Sequence, residues 1–332
     1  MLNVAKLPPK ERAALFLNTA QKCRMNEAIV EKDFWVCWAI NYLFQQSQWK
    51  NHLAFKGGTS LSKGYNLIER FSEDIDLILD WRLLGYDTNE PWENRSKAKQ
   101  DKFNKETNNK STIFLKREFL PSIHKDFSGM LEEPFSLDID NVDPQTICFA
   151  YPQIFADASI LKVIRMEIGA LAAWTPAQSL IITPYAAEKY PSVFREPHAT
   201  VLTVSAERTF WEKVTILHKE AFRSNDHFPE RYSRHYYDLY CMSNSPIKQA
   251  ALKDLDLLEK VVSFKDRFYP ANSARYDLAK PGTISLIPSS NYIAKLENDY
   301  EHMQNMIYGY KPKFSAIMAQ LKILEDEINN IN

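Results

Sequence analysis

Glycine is scarce in this chain, with eight in 332 residues, where ordinary usage runs at about 7%. A backbone so short of its most permissive residue makes the one adjacent pair, Gly57-Gly58, an improbable filler. Cysteine is sparse too: Cys23, Cys37, Cys148 and Cys241 include no C-x-x-C pair, which argues against a disulfide scaffold and against a zinc ribbon. No apolar run approaches the roughly 20 residues needed to span a bilayer. The most apolar early stretch, Phe34 to Ile40, is far shorter, and the N-terminus lacks a signal-peptide core. Net charge is lacking as well, 41 basic against 42 acidic residues leaving −1, so the whole chain is no polycation drawn to phosphate backbones. Repeats and low-complexity tracts are missing. The expectation is a cytoplasmic protein without a membrane partner, long enough for one large or two modest domains.

What is present is unevenly placed. Between Arg95 and Lys125 nine Lys or Arg face three acids, Asp101, Glu106 and Glu118, a local basic segment that reads either as a solvated protruding helix or as an RNA- or phosphate-facing surface. The first fifty residues read as two helices. A short apolar run at 53–55, the glycine pair, a helical stretch Thr59–Ile68 and a strand Asp74–Asp80 follow. After the Lys-rich helix over 96–127 come strand-like runs at 135–139, 146–151, 161–168 and 180–183. Helices then take over at 205–222, 231–242, 247–268, 291–308 and 312–328. This order predicts an α+β fold: residues 1–204 as a catalytic domain with N-terminal helices, and 205–332 as a helical domain that contributes Lys213 and Asp238 to the cleft.

The chemistry concentrates in Phe55-Lys-Gly-Gly-Thr-Ser-Leu and Arg70-Phe-Ser-Glu-Asp-Ile-Asp. Without Cβ atoms, Gly57 and Gly58 can bring backbone N–H groups to a phosphate at the start of the next helix, where the helix dipole also favours an anion. Thr59 or Ser60 is placed to cap that helix and offer a hydroxyl to the same oxygens. On the following strand Ile75, Leu77 and Leu79 alternate with Asp74, Asp76 and Asp80, which sends the acids to one face. Asp74 and Asp76, about 7 Å apart along the strand, suit Mg²⁺, with Mn²⁺ as a substitute, bridged by substrate phosphates. Asp138-Ile-Asp140 repeats the pattern without a glycine turn upstream and reads as a strand face leading into the turn at Asp143-Pro144. Glu167, on the face of its strand that also carries Val163 and Arg165, is the candidate third carboxylate, a structural pair with Arg165 being its alternative.

In the helical half, Phe210, Val214, Leu217 and Ala221 form an apolar stripe. Lys213 lies at its edge, where an ammonium can hold a β- or γ-phosphate or merely snorkel. Arg231 to Tyr240 packs two arginines, four tyrosines, His235 and Asp238 into ten residues. Its rings could stack a base or turn to the core, and Asp238 could orient Lys213 or the attacking hydroxyl.

These pieces, in order with Glu31-Lys32-Asp33 and Glu212-Lys213, resemble the AbiEii/AbiGii family of toxin nucleotidyltransferases within the DNA polymerase beta-type superfamily. One departure is Arg234-His235, where the family usually has Arg-Asp. The resemblance implies a mixed sheet flanked by helices and an enzyme that transfers NMP from an NTP to an RNA acceptor. Related toxins modify the 3′ end of tRNA, which makes that end the expected acceptor. The resemblance further implies Mg²⁺ on Asp74 and Asp76, the triphosphate on Gly57, Gly58, Ser60 and Lys213, an essential Asp238, and a winged-helix antitoxin that need not form a stable complex. Two other readings share the glycine turn and D-x-D pair: a small-molecule nucleotidyltransferase of the antibiotic-modifying type, and a nucleotide-binding regulator without turnover.

Overall fold

A computed structural model describes residues 1–158, 160–172, 175–223 and 229–331. The chain divides into two units, one comprising Met1–Gly64 with Ser72–Val204 and the other Tyr65–Phe71 with Ser205–Asn332.

The first unit is built on a seven-stranded sheet of order β3-β4-β5-β2-β1-β7-β6. Its strands are β1 (Leu53–Lys56), β2 (Ile75–Leu79), β3 (Ser136–Ile139), β4 (Thr146–Ala150), β5 (Ile164–Gly169), β6 (Ala177–Ile182) and β7 (Ala199–Val204). The sheet is mixed: β2 runs antiparallel to β1 but parallel to β5, and β1 runs parallel to β7. Central strands covered on both faces read as near-continuous apolar runs. Accordingly Leu53, Ala54 and Phe55 of β1 and Ile75, Leu77, Ile78 and Leu79 of β2 are all buried.

The helix Glu27–Asn41 starts at Asn26, whose side chain accepts the Ala28 N–H, an N-cap that satisfies one orphan donor of the first turn. It is buried almost all round. Its Trp38 packs edge-on against Phe127 at 4.6 Å between ring centroids, and Phe127 in turn meets Tyr42 at 5.0 Å and Phe149 at 5.1 Å. Phe127 comes from the helix Leu120–Met130, which continues Lys97–Phe114 through one wider turn at Leu115–Phe119. The Lys-rich segment is therefore helical along nearly its whole length, with Pro121 directly after the wider turn.

The second unit is helical. Ser205 caps Ala206–Ala221 by accepting the Arg208 N–H, and Arg234–Ser243, Pro246–Leu252, Leu255–Phe268, Ser290–Met303 and Phe314–Asn329 complete it. Tyr65–Phe71 joins these helices through an antiparallel bridge between Arg70 and Ile307 and a hydrogen bond from the Phe71 N–H to the Met306 carbonyl.

Three local expectations change. The helix read over Thr59–Ile68 is one α-turn at Gly57–Thr59 followed by a wider turn at Ser60–Gly64, because the chain must leave the sheet unit at Tyr65. β7 was not anticipated: Ala-Thr-Val-Leu-Thr-Val alternates between sheet faces over only six residues, too few for periodicity to stand out beside the strong helix signal that follows. The helix read over 247–268 is two, divided where the Asp254 side chain accepts the Leu257 N–H and starts a new N-terminus.

Phe127→Ala empties the centre of the aromatic layer and is expected to lower unfolding free energy by about 3–5 kcal/mol, measured as a fall in the urea midpoint at unchanged m-value.

Candidate active site

The antiparallel register of β1 on β2 sets Lys56 opposite Asp76. The chain then turns at Gly57, whose φ of +81° lies in the left-handed region. A second constraint acts on the same residue: a Cβ built there would stand 1.8 Å from Asp76 Oδ2 and 2.5 Å from its Cγ. Gly57 is bare because the Asp76 carboxylate occupies that space. Thr59 ties the turn to the other acid, its Oγ1 donating to the Asp74 carbonyl at 2.6 Å and the Ser72 carbonyl at 3.3 Å. Ser60 Oγ donates to the Gly57 carbonyl at 2.8 Å. Both hydroxyl protons are thus engaged by backbone, and both residues are buried, so here these side chains shape the turn. Asp74 immediately precedes β2, and Asp76 lies within it.

Asp80 does not belong with these two. It is buried, accepts the Arg82 backbone N–H at 2.9 Å and pairs with the Arg82 guanidinium, capping the turn at Trp81–Leu84. Ile78, on the same strand face, packs with Ala54, Ala172 and Val204.

Glu167 is the register partner of Asp76 on parallel β5. Its carboxylate lies 3.8 Å from Arg165 Nε, and Arg165 also reaches Asp140 at 2.6 Å. Asp140 in turn accepts the N–H groups of Val142 and Asp143; these two bonds and the Arg165 guanidinium hold its carboxyl well below the usual carboxylate range. The Asp138-Ile-Asp140 repeat is therefore the end of a strand, with Asp140 leading into a turn and held in a structural ion pair. Among the described residues, no group of three or more His, Cys, Asp or Glu converges as a metal cage. A pair of hard carboxylates at the rim of a glycine turn fits Mg²⁺, which keeps waters and substrate phosphates among its ligands and needs no complete protein cage.

Sequence reasoning missed how this edge is anchored. Glu31, Lys32 and Asp33 are three consecutive charged residues buried in one helix. Lys32 Nζ donates to Glu73 at 2.7 Å and to the Leu161 carbonyl at 2.8 Å, which pins the residue directly before Asp74. Glu31 accepts the N–H groups of Ile154 and Phe155, both at 2.8 Å, and burial nevertheless pushes its carboxyl up to about 7. Asp33 accepts the Tyr185 N–H at 2.7 Å and pairs with Lys63 at 3.0 Å. An unbroken Glu-Lys-Asp in an otherwise apolar helix is the signal that points to such buried ion pairs.

A second cluster lies within the helical unit. Arg70 holds Asp238 in a two-pronged contact, Nε to Oδ1 at 2.7 Å and an η-nitrogen to Oδ2 at 2.9 Å. Lys213 Nζ donates to the same Oδ2 at 2.7 Å and approaches His235 Nδ1 at 3.0 Å. Burial alone would raise the Asp238 carboxyl; the two cations outweigh it and hold it well below the usual range. Burial, then Lys213 and Arg234, push His235 far down, so its neutral ring accepts from the Lys213 ammonium. Burial is also the main reason that Lys213 is lowered. With both oxygens engaged, Asp238 positions Lys213 rather than serving as a base. Of the two readings of the nearby tyrosines, Tyr236 and Tyr237 turn to the core, and the Tyr232 hydroxyl donates to Glu220 at 2.8 Å.

A mixed sheet flanked by helices, with Asp76 against a glycine turn and Asp74 tied to that turn through Thr59, is an arrangement compatible with a nucleotidyltransferase. The sequence model of the family described as "Nucleotidyl transferase AbiEii toxin, Type IV TA system" matches residues 41–320, and the chain belongs to that family of toxins from type IV toxin–antitoxin systems. The match begins after the Glu31-Lys32-Asp33 triplet. Among solved structures, the chain is similar to MenT4, a nucleotidyltransferase toxin from Mycobacterium tuberculosis, at 16% identity and a TM-score of 0.52 over 96% of this chain and 90% of that one. A second similar structure is JHP933 from Helicobacter pylori, at 12% identity and a TM-score of 0.45, covering 92% of this chain and 93% of that one. The curated proteins include no match. No helix among the described residues is long and apolar enough to cross a membrane.

Gly57→Ala forces a methyl group onto Asp76 Oδ2 at a left-handed φ, and a displacement of about 1 Å at reacting groups can cost about 100-fold; nucleotidyl transfer is expected to fall by at least that factor while the far-ultraviolet CD spectrum is kept. Asp238→Asn leaves Arg70 and Lys213 buried without their counter-charge, an expected loss of about 3–5 kcal/mol. Because the folded Asp238 carboxyl lies below its unfolded value of about 3.9, its stabilisation is complete above that pH and is lost as pH falls further. Urea midpoints for the Asn variant should therefore depend less on pH below about 4 than those of the wild type.

Proposed function

We propose that this toxin transfers NMP from an NTP to an RNA acceptor, with the 3′ end of tRNA as the target class, and thereby blocks growth. The observation that carries the reading is the Asp76 carboxylate pressed against the bare Cα of Gly57, because it joins a phosphate-accepting turn to a metal-binding carboxylate in one small space. Asp74 and Asp76 hold Mg²⁺, for which Mn²⁺ can substitute, and Glu167 is the third carboxylate if a second ion binds. When bound, the ions neutralise the triphosphate and polarise the α-phosphate for in-line attack.

The chain's own groups do the rest. Backbone N–H groups at Gly57 and Gly58 receive phosphate oxygens, and the bare Cα atoms allow the close approach. Buried Thr59 and Ser60 hold the turn in shape, which lowers the entropy cost of binding. Lys213 supplies a point charge to the β- or γ-phosphate, and Asp238, clamped by Arg70, sets the direction of that ammonium. Burial lowers Lys213, while the adjacent Asp238 carboxylate favours its charged form.

RNA is favoured as acceptor by the exposed lysines of the helix Lys97–Phe114, among them Lys97, Lys99, Lys105 and Lys110, which suit a phosphate backbone on a chain with no overall positive charge. Membership of a type IV system implies an antitoxin. We assign it the winged-helix class, which need not form a stable complex with the toxin.

Cells expressing Asp76→Ala are expected to grow normally where the wild type arrests. With α-labelled NTPs and total RNA, the wild type should leave label on RNA and Asp76→Ala should leave none. Label found only on small-molecule acceptors, or growth arrest by Asp76→Ala, would overturn the reading.

A further inference from the structure

The loop that leads into the last helix is held far more firmly than an exposed connection requires. The N–H groups of Tyr308 and Gly309 both donate to the Glu69 carbonyl, at 3.0 and 3.3 Å, and the Tyr310 N–H donates to Glu69 Oε2 at 3.1 Å. Gly309 fits against that carboxylate only because it is bare: a Cβ there would stand 1.8 Å from Glu69 Oε2. On the other side, buried Tyr300 donates its hydroxyl to the Pro312 carbonyl at 2.9 Å. All these groups belong to the helical unit, and Glu69 directly precedes Arg70, the clamp on Asp238.

On this rigid backbone Tyr310 is 73% exposed, the most exposed aromatic residue described. Lys311 and Lys313 follow it in the chain, both exposed and neither in an ion pair with a described residue. A lone exposed aromatic needs no explanation. An exposed ring whose backbone is clasped at both ends, and which is followed by two cations without an ion pair among the described residues, does.

We propose that Tyr310 is a nucleobase-stacking platform for single-stranded RNA, with Lys311 and Lys313 taking the adjoining phosphates. This rests on the RNA-acceptor reading above and identifies where the acceptor strand is gripped. Every base offers a π-face, so stacking tolerates any sequence, and a ring already fixed by its loop loses little further freedom on binding. The lysines select nucleic acid over a protein partner, since lysine is depleted from protein–protein interface cores.

The test uses the full chain without NTP and a fluorescein-labelled single-stranded oligoribonucleotide with a free 3′ hydroxyl, read by anisotropy. Tyr310→Ala is expected to weaken binding about tenfold, and Tyr310→Trp to retain it. Lys311→Gln with Lys313→Gln should reduce the slope of log Kd against log salt by about 1.4, or roughly 0.7 per phosphate contact. Melting temperatures of the variants, unchanged from the wild type, exclude misfolding as the cause. Wild-type affinity in Tyr310→Ala overturns the proposal. The two readings fail separately. Tyr310-dependent binding without label transfer to RNA sinks the transferase reading alone, whereas transfer to RNA with an unchanged KM for RNA in Tyr310→Ala sinks the platform alone.

Discussion

The site depends on one steric relation, the Asp76 carboxylate occupying the space that a side chain on residue 57 would fill. Antiparallel pairing of β1 with β2 puts Lys56 opposite Asp76, so the next residue must turn directly over that carboxylate. Only glycine accepts both the left-handed φ and the contact. The Thr59 hydroxyl then closes the arrangement on the backbone of Asp74. Acid pair and turn form one covalently short, hydrogen-bonded assembly, and neither can move without the other.

Buried charge supports this edge from behind. Lys32, Glu73 and the Leu161 backbone satisfy one another away from water, and an ion pair so enclosed is costly to break from either side. Such a pair is a poor source of net stability but a good means of fixing one geometry, because alternatives leave a charge unmatched. It lies directly before Asp74, where a slip of one residue would turn both acids to the opposite sheet face.

Asp238 follows the same logic in the helical unit. Its two oxygens receive Arg70 and Lys213, and the neutral ring of His235 takes another Lys213 proton. At His235, where the resemblance leads to an expected Arg-Asp, the neutral imidazole accepts from the Lys213 ammonium without adding charge, so Arg70 and Lys213 share the single carboxylate of Asp238.

Much was legible in the residues alone. The glycine pair, the Asp74-x-Asp76 spacing, the apolar alternation between them and the helical second half are local patterns, and local patterns survive in one dimension because strand and helix periods dictate them. What tertiary structure decided is of another kind. Lys32 meets Glu73 across 41 residues and Arg70 meets Asp238 across 168. Glu167 comes beside Asp76 only through parallel pairing of β5 with β2. The buried hydroxyls of Thr59 and Ser60 and the strand Ala199–Val204 also escaped the pattern, and only burial chose the inward reading for Tyr236 and Tyr237. Spacing along a chain specifies which face a side chain takes, whereas partners are chosen by burial, which makes an unpaired polar group expensive and so selects whichever distant residue satisfies it.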